Sequence, residues 1–258
     1  MKIKVASLQL NITAEQSKEE RITLALQEID RARDADLIVL PELWSVNFLD
    51  FASYEKESEE ITGETVSRLA SKAVEINSYI HAGSIIEEEG EKLYNTSILL
   101  NNEGEIISTY RKIHLFGYRS QEARILKPGQ NVSTVTTPLG KIGLATCYDL
   151  RFPELFRKLL DEGAEIVLVT AAWPFPRVRH WQILNQSRAL ENLFYLVSAN
   201  CAGSFQEQIY AGNSMVVDPW GTIISGSDYH AGIVRAQIDL EKLRHIRDDF
   251  PVLQDRKF

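Results

Sequence analysis

Apolar residues recur along the chain in two spacings, and the spacing decides which segments we expect to be strands and which helices. Continuous or alternating apolar stretches predict β-strands at residues 2–10, 36–40, 79–86, 94–100, 105–110, 141–147, 165–170 and 194–200. Apolar residues three and four positions apart predict helices after residue 13, at residues 65–76, 153–160 and 178–192, and shortly after residue 240. Because the two kinds of element alternate without a Pro/Gly/Ser-rich linker, we predict one layered α/β domain over residues 1–258.

The start of the first helix is predicted by a capping pattern. Thr13 is followed three positions later by Gln16, the spacing of a capping box, in which two side chains bond to each other's backbone N–H groups. From there Ile22, Ala25 and Ile29 form one apolar stripe, with charged residues on the other faces. We therefore expect a helix that begins directly after Thr13 and packs one face on a sheet.

Two connections can be predicted from their turn residues, whereas a third segment has no regular pattern. Asn101-Asn102-Glu103-Gly104 lies between two predicted strands and indicates a β-hairpin. Asp218-Pro219-Trp220-Gly221 has the residues of a type I turn. Residues 111–130 mix glycine, proline and charges without a clean period. Long irregular segments of this kind often carry function.

Charge and composition narrow the class of partner. The 28 Lys and Arg against 36 Asp and Glu give a net charge of −8, which disfavours nucleic acid and makes a small molecule the better prediction. The chain shows no secretory signal, and no apolar run reaches the roughly 20 residues of a membrane span, so we expect a cytoplasmic protein without a membrane partner. Two cysteines make no disulfide framework, and the lack of CxxC or HxxxH spacing predicts no metal.

Cys147 is the stronger of the two cysteines as a candidate nucleophile. It ends an apolar strand and precedes a polar turn that leads to Pro153, a residue suited to the first position of a helix. The positive end of a helix favours a thiolate and binds anions through its N–H groups. A buried inert cysteine is the competing interpretation. Cys201 follows an apolar strand without a comparable turn, and we expect it to be inert.

A nucleophilic cysteine needs a base, and the chain offers two kinds. Glu42 follows an apolar strand directly after Pro41, where a carboxylate is stable only if it is paired or faces a cleft; a surface glutamate is the alternative. Lys112 is a cation within an apolar stretch, either in a site or snorkelling at the surface. A Cys–His hydrolase is also possible, although none of the histidines has a local signature: His81, His114, His180, His230 and His245.

Three spaced segments resemble the Glu, Lys and Cys motifs of the nitrilase superfamily of carbon–nitrogen hydrolases. In chain order they are Leu40-Pro41-Glu42, Tyr110-Arg111-Lys112-Ile113-His114-Leu115-Phe116 and Cys147-Tyr148-Asp149-Leu150-Arg151-Phe152-Pro153-Glu154. Residues 122–129, which begin with Glu122, resemble the segment that holds the family's second active-site glutamate. Residues 180–181, 188–192, 212–214 and 217–221 resemble its C-terminal half. The resemblance covers nearly the whole chain, and three motifs in order are more specific than any one alone.

The resemblance implies a fold, an assembly and a set of roles. The fold is a four-layer α-β-β-α sandwich, usually paired as a homodimer that doubles the layers. Cys147 is implied as the nucleophile, Glu42 as the general base, Lys112 as the oxyanion stabiliser and Glu122 as a residue that supports them. No cofactor or metal is implied.

These residue types can hydrolyse an amide. Glu42 takes the thiol proton of Cys147 and returns it to the departing ammonia, and it later activates the water that cleaves the thioester. The ammonium group of Lys112 and the N–H of Tyr148 can bind the negative oxygen of the tetrahedral intermediate, where losing one donor typically costs about 3–4 kcal/mol. A like-charged Glu122 near Glu42 is expected to raise the proton affinity of one carboxylate.

The form Cys-Tyr-Asp-x-Arg-Phe resembles the omega-amidase branch, which removes ammonia from the distal amide of dicarboxylic monoamides such as 2-oxoglutaramate. Arg151 would bind the substrate carboxylate as a bidentate fork, or else form a structural ion pair with Asp149 or Glu154. Phe48 and Trp173 lie near strand ends and either wall the pocket or belong to the core. Omega-amidases tend to have a tyrosine where this chain has Phe48, so a hydroxyl contact with the substrate is expected to be missing.

Several alternatives remain open at the level of sequence. Deaminated-glutathione amidases, N-carbamoyl amidohydrolases and nitrilases share the Glu-Lys-Cys triad with omega-amidases. A Cys–His hydrolase would use a histidine as its base. A catalytically decayed dimeric binding module would need none of these groups, and it is disfavoured because all three catalytic residue types are present.

Overall fold

The computed structural model describes residues 2–257. The strands are β1 (Lys2–Gln9), β2 (Asn11–Thr13), β3 (Leu37–Val39), β4 (Tyr79–Glu89), β5 (Lys92–Leu100), β6 (Ile106–Arg111), β7 (Thr134–Thr137), β8 (Gly140–Thr146), β9 (Ile166–Ala171), β10 (Tyr195–Asn200), β11 (Ala202–Phe205), β12 (Gln208–Ile209), β13 (Met215–Val217), β14 (Ile223–Gly226) and β15 (Gly232–Asp239). The helices are α1 (Lys18–Arg31), α2 (Tyr54–Glu57), α3 (Glu64–Ile76), α4 (Glu122–Ile125), α5 (Pro153–Asp161), α6 (Val178–Asn192) and α7 (Leu240–Asp249). Each strand and helix predicted from apolar spacing is present, with somewhat different bounds.

The strands form two mixed sheets of six strands each. The first has the order β15-β1-β3-β4-β5-β6, with β1, β3 and β4 parallel. The second has the order β14-β13-β10-β9-β8-β7, with β8, β9 and β10 parallel. A small third sheet joins β12, β11 and β2. Because parallel strands end at the same edge of a sheet, the loops that follow them lie side by side, where sites are commonly built.

Alternation along β1 shows how the layers form. Val5 packs in the core between the two sheets with Val197 of β10, whereas its neighbour Ala6 packs beneath α1 with Ile22 and Ala25. Helices α1 and α3 cover the outer face of the first sheet, and α5 and α6 cover that of the second. The predicted four-layer α-β-β-α sandwich is thereby confirmed.

Helix α1 begins later than the capping pattern predicted. Ser17 is its N-cap: the Glu20 N–H donates to Ser17 Oγ at 3.2 Å, and the Ser17 N–H donates to Glu20 Oε2 at 2.8 Å. Thr13 instead ends β2, which pairs with β11, and its N–H donates to Gln16 Oε1 at 2.9 Å. The expected start was wrong because the chain carries a second capping box, and strand pairing keeps Thr13 extended.

The predicted turns and the irregular segment are as expected. β5 and β6 form a hairpin in which the Asn101 N–H donates to the Glu105 carbonyl, and the turn at 218–221 is closed by a bond from the Gly221 N–H to the Asp218 carbonyl. Between β6 and β7 the regular structure is the short helix α4. None of the helices described within residues 2–257 is long and apolar enough to cross a lipid bilayer.

Candidate active site

The two sheets meet where β3, β8 and β9 end. Glu42 follows β3, and its N–H donates to the Ala171 carbonyl at the end of β9 over 3.3 Å. The Ala172 N–H returns a bond to Glu42 Oε2 at 2.9 Å. Cys147 follows β8, the neighbour of β9 in the second sheet. The glutamate that follows a strand of one sheet and the cysteine that follows a strand of the other thus lie at the same end of the two packed sheets.

Gly83 of β4 permits the approach of the segment that carries Glu42. Its φ is +68°, and a Cβ at this position would lie 1.9 Å from the Pro41 carbonyl oxygen. The pairing of β4 with β5 shifts register between His81 and Ser84, as expected for a bulge. A residue larger than glycine would therefore have to displace Pro41 and, with it, Glu42.

Lys112 lies between two carboxylates in the interior. Its Nζ is 2.8 Å from Glu42 Oε1 and 2.9 Å from Glu122 Oε1, and all three side chains are 0% exposed. Glu122 begins α4, and its Oε2 also accepts the Phe116 N–H at 2.7 Å. The structure thus brings together three of the four side chains that sequence analysis assigned to catalysis, and Cys147 lies close enough to influence them.

The charges of this cluster depend on one another. Burial alone would lower the pKa of Lys112, but the Glu122 and Glu42 carboxylates raise it above its ordinary value. Burial raises the pKa of Glu122, an effect that Lys112 opposes and Glu42 reinforces. The cluster therefore holds a permanently charged ammonium group beside a carboxyl group with increased proton affinity, as sequence analysis expected for one of the two glutamates.

Asn95 is a member of the cluster that sequence analysis missed. It lies in β5, is 0% exposed, and donates from Nδ2 to Glu42 Oε1 at 2.8 Å and to Glu122 Oε1 at 3.0 Å. The available signal was a run of polar residues, Asn95-Thr96-Ser97, inside an apolar strand. Such a run also fits a solvent-facing strand surface, so burial was needed to distinguish the two.

Cys147 lies on a sharp turn between β8 and a short 3-10 helix at 147–151. Its φ is +47°, an uncommon value for a residue with a side chain, and such strain is typical of residues held in place for function. Asp149 holds the turn: its carboxylate accepts the Thr146 N–H at 2.9 Å and the Tyr110 hydroxyl at 2.8 Å. The thiol is 6% exposed and opens into a cavity.

The expected thiolate at a helix N-terminus is wrong. Helix α5 does begin with Pro153 as its first residue, but the 3-10 turn separates Cys147 from that end. Burial raises the pKa of the Cys147 thiol well above its ordinary range, the Glu42 carboxylate raises it further, and Lys112 opposes both. The resting side chain is therefore a thiol, and it needs a base before it can attack.

No histidine within residues 2–257 lines the cavity into which Cys147 opens. His114 stacks on Phe152 and bonds to Asp149 Oδ1 at 2.7 Å, and His81 is buried with neither ring nitrogen hydrogen-bonded. The groups that act on the pKa of Cys147 are Glu42, Lys112 and Glu122. The geometry thus favours a glutamate base over a Cys–His pair.

The cavity has a volume of about 360 Å³, and all four predicted substrate-binding residues line it: Phe48, Tyr148, Arg151 and Trp173. Cys147 is also a lining residue, and we call it together with the buried Glu42, Asn95, Lys112 and Glu122 side chains, which do not line the cavity themselves, the cavity floor. We call six further lining residues the cavity mouth: Phe116, Tyr118, Arg119, Arg151, Trp173 and Arg177. Trp173 is also a core residue, so both interpretations offered for it apply.

The cavity mouth carries three guanidinium groups, and the part of its lining that lies within residues 2–257 contains no carboxylate. Arg151 lies over the Trp173 ring at 4.7 Å and over the Tyr148 ring at 5.9 Å, and its Nη2 is 3.3 Å from His180 Nδ1. The alternative of an ion pair with Asp149 or Glu154 is wrong, because Arg151 forms no ion pair with either residue; Asp149 bonds instead to Tyr110 and His114.

Acidic, cysteine and histidine side chains of the described residues form no group of three that could hold a metal ion. The carboxylates of the cavity floor are instead bonded to Lys112 and to neutral N–H donors.

Comparison with known proteins identifies the family of this chain. The sequence profile of the carbon-nitrogen hydrolase family matches residues 4–248. The chain is 34% identical to the 2-oxoglutaramate amidase of Paenarthrobacter nicotinovorans, over 98% of this chain and 89% of that protein. It is also 34% identical to the omega-amidase NIT2 of Homo sapiens (98% and 95% covered) and to the deaminated glutathione amidase of Bos taurus (95% and 80% covered).

The solved structure of Saccharomyces cerevisiae Nit3, described as a member of branch 10 of the nitrilase superfamily, is similar in fold. It superposes with a TM-score of 0.91 at 32% identity, over 100% of this chain and 97% of that one. The resemblance that the three motifs indicated is confirmed. The chain belongs to the carbon-nitrogen hydrolase family of the nitrilase superfamily and is an omega-amidase-like enzyme.

Proposed function

We propose that this enzyme hydrolyses the distal amide of a small dicarboxylic acid monoamide, such as 2-oxoglutaramate, to a carboxylate and ammonia. The observation that carries the proposal is the contrast within one cavity: a buried Glu42–Lys112–Glu122 cluster beside Cys147 at the floor, and unpaired guanidinium groups at the mouth. The floor suits the neutral amide end of the substrate, and the mouth suits its anionic end.

Acylation requires a proton transfer because the resting Cys147 is a thiol. Glu42 accepts the thiol proton as the sulfur attacks the amide carbon, and a C–S bond forms while the carbonyl oxygen becomes an anion. Glu42 then gives that proton to the amide nitrogen, the C–N bond breaks, and ammonia leaves. The product of this half-reaction is a thioester on Cys147.

In deacylation, water replaces the thiol as the nucleophile, and Glu42 again acts as the base. Glu42 takes a proton from water, the hydroxide attacks the thioester carbon, and the C–S bond breaks as the sulfur recovers the proton. Glu42 is suited to act twice because the Ala172 N–H and the Asn95 amide fix its two oxygens. Glu122 fixes Lys112 from the opposite side.

Lys112 and the N–H of Tyr148 stabilise the negative oxygen in both half-reactions. Lys112 Nζ donates to Glu42 Oε1 at 2.8 Å and to the two oxygens of Glu122 at 2.9 and 3.1 Å, and a substrate oxygen would take the place of the longest of these contacts. A donor fixed in place before the reaction needs no reorganisation when the charge develops, which is why such donors contribute strongly.

Arg151 binds the substrate carboxylate at the end opposite the amide that is cleaved. Its planar guanidinium, stacked on Trp173, offers N–H donors in the fork geometry that matches a carboxylate. Phe48 and Tyr148 line the space between the two ends and contribute apolar surface.

A longer, doubly anionic amide is the second candidate substrate class. Arg119 and Arg177 lie 5.3 and 5.8 Å from the centre of the exposed Tyr118 ring, and neither forms an ion pair with another described residue. One small acid needs only one such anchor. The additional guanidinium groups therefore favour testing a deaminated-glutathione-like substrate, which has a second carboxylate.

We also propose that the enzyme is a homodimer. An exposed apolar patch on the outer helix layer supports this: Ile183 and Leu190 of α6 lie on one face, and the turn that bears Trp220 packs against Leu190. The Trp220 ring lies 5.5 Å from the ring of Phe250, tilted by 45°, and Phe250 is also exposed. Light scattering after size exclusion should give a dimer mass for the wild type and a monomer mass for Leu190→Glu.

The test of the function is ammonia release from a substrate panel containing 2-oxoglutaramate, 2-oxosuccinamate, deaminated glutathione, a carbamoyl amine and a simple nitrile. We expect the highest kcat/KM for 2-oxoglutaramate and no turnover by Cys147→Ala, whereas Cys201→Ala, which alters the other buried cysteine, should retain activity. Preference for a carbamoyl compound or a nitrile would overturn the substrate class. If Cys147 is not labelled by iodoacetamide and no amide is cleaved, the protein is a decayed binding module.

A further inference from the structure

Asn95 occupies a fixed place beside Lys112 in the cavity floor. The Lys112 N–H donates to the Asn95 backbone carbonyl at 2.8 Å, so the two residues are joined through the main chain as β6 ends. Both side chains are 0% exposed and reach the same pair of carboxylates. The position of the amide relative to the ammonium group is therefore set by strand pairing.

The contacts of Asn95 form a closed ring. Its Nδ2 donates to Glu42 Oε1 at 2.8 Å and to Glu122 Oε1 at 3.0 Å. The same two oxygens lie 2.8 and 2.9 Å from Lys112 Nζ. Carboxylates only accept hydrogen bonds, so the amide must present its NH₂ group to them, and each of its two hydrogens is used.

The other end of the Asn95 amide has no compensating contact. Its Oδ1 is buried and accepts no hydrogen bond from the described residues. An unpaired buried acceptor destabilises the folded protein. An asparagine at such a position, with both donors aimed at the two glutamates, is better explained by what its donors do than by a contribution to stability.

Resting on the function proposed above, we propose that Asn95 is a positioning residue that holds Glu42 and Glu122 in place around Lys112, so that the ammonium group keeps the orientation in which it can donate to the substrate oxygen. Without these two bonds, Lys112 would be the only side-chain donor among the described residues to Oε1 of either carboxylate, and the ammonium group and the carboxylates could shift together. Asparagine supplies two hydrogen bonds without adding charge, whereas serine would supply one and aspartate would add a third negative charge.

Other ionisable groups also face this ring. Cys147, Cys201, Tyr54 and Tyr210 are buried and respond electrostatically to Glu42, and the pKa of each is raised well above its ordinary range by burial first and by Glu42 in addition. All four are neutral at rest. The charges that Asn95 can redistribute are therefore those of Glu42, Glu122 and Lys112.

The test compares Asn95→Ala and Asn95→Asp with Asn185→Ala. Asn185 is a matched control because, like Asn95, it is 0% exposed and has an unpaired Oδ1. Its side-chain NH₂ donates one hydrogen bond, to a backbone carbonyl, and it lies in α6 outside the cavity lining. We expect Asn95→Ala to lower kcat by about 10- to 100-fold, with KM and the unfolding midpoint close to those of Asn185→Ala. Asn95→Asp should be almost inactive at neutral pH and regain part of its rate at lower pH, where the added carboxyl is protonated.

The pH dependence of Cys147 alkylation by iodoacetamide gives a readout that needs no substrate. We expect its profile to shift in Asn95→Ala and to stay unchanged in Asn185→Ala. If wild type releases no ammonia from any amide but the alkylation profile still shifts, the function fails and the positioning role stands. If Asn95→Ala matches Asn185→Ala in both kcat and alkylation profile, or if only KM changes, the positioning role is wrong.

Discussion

The cavity floor and the cavity mouth hold their charges in opposite ways. At the floor, Lys112 Nζ lies within 3.1 Å of three carboxylate oxygens, and every member of the Glu42–Lys112–Glu122 cluster is 0% exposed. At the mouth, Arg151 and Arg177 lie over aromatic rings at 4.7 to 5.8 Å, and neither forms an ion pair with another residue in 2–257. The charged groups of the floor are paired with one another, whereas the guanidinium groups of the mouth are not paired with a carboxylate.

This difference in charge pairing predicts how substitutions act in the two regions. Removing one member of a buried ion cluster leaves an uncompensated charge in the interior, which destabilises the fold as well as the reaction. Removing a partly exposed guanidinium leaves no such charge behind. We therefore expect removal of a charged floor group to lower kcat and stability together, and changes at the mouth to raise KM alone.

The largest effect is expected for Lys112→Met, which keeps most of the length of the unbranched side chain and removes its charge. Two buried carboxylates would then face each other, so unfolding should become easier by about 3–5 kcal/mol. Loss of the oxyanion donor should lower kcat by about 100- to 1,000-fold. Urea unfolding and ammonia release measure the two effects on the same preparation.

The double variant Lys112→Met/Glu122→Gln separates these two consequences. Removing one of the unpaired carboxylates should restore part of the lost stability but none of the activity, because the oxyanion donor is still missing. Full stability in Lys112→Met alone would contradict the view that the floor is a coupled charge cluster.

Gly83→Ala tests the floor without touching a charge. The added Cβ would lie 1.9 Å from the Pro41 carbonyl, so the segment bearing Glu42 must move. A catalytic group misplaced by an ångström can cost about 100-fold in rate, and we expect a loss of that order in kcat. Gly90→Ala is the matched control, since Gly90 also has a positive φ of +60° but nothing within 4 Å of the added Cβ. Equal kcat values for the two variants would show that Gly83 does not position Glu42.

The two regions also differ in how much of them could be predicted from sequence. Glu42 and Cys147 were identifiable because each is a polar residue directly after an apolar strand, and the family motifs connected them with Lys112. Asn95 lies within a strand among other polar residues, and only the packing of Glu42 and Glu122 against it shows its role.

The mouth was predicted only in part. Arg151 was identified because it is near the nucleophile in the sequence. Arg119 and Arg177 are far apart in the sequence, and only the fold brings both of them to the Tyr118 ring. The start of α1 was misplaced for a related reason: two capping patterns overlapped, and the strand pairing that excludes the first is not visible locally.

Arg151→Leu tests the mouth. Hydrogen bonds to a charged group contribute about 1.5–3 kcal/mol, so KM for 2-oxoglutaramate should rise by about 10- to 100-fold. The kcat value should change little, and turnover of a neutral short amide should be unaffected. Arg179→Leu, at an exposed arginine outside the cavity lining, is the control. A fall in kcat with unchanged KM would place Arg151 with the floor groups instead.

His81 provides a smaller test, because it is an interior polar group that lacks the pairing of the floor cluster. Burial lowers its pKa from 6.5 to about 3, and neither ring nitrogen is hydrogen-bonded. The unfolded chain therefore binds a proton between these values that the folded protein excludes. Stability from this residue is complete above pH 6.5 and is lost as the pH falls towards 3, by at most about 1.4 kcal/mol per pH unit.

His81→Leu should flatten the urea stability profile between pH 3 and 6.5, the window set by the two pKa values. His245→Leu, at an exposed histidine of α7, should leave the slope as in the wild type. An unchanged slope in His81→Leu would mean that the ring finds a partner when it is protonated.

The smallest effect is expected for Phe48→Tyr, at a position where floor and mouth meet. Phe48 lines the cavity, is 5% exposed, and has Lys112 Nζ at 5.3 Å from its ring centre. A hydroxyl there would add one neutral hydrogen bond to a bound oxo acid, a gain of about 0.5–1.5 kcal/mol, so KM for 2-oxoglutaramate should fall by roughly 2- to 10-fold while kcat stays the same. Phe205→Tyr, outside the cavity lining, should change neither constant. A higher KM in Phe48→Tyr would mean that the substrate packs against an apolar ring here, which would favour a longer and less polar amide over 2-oxoglutaramate.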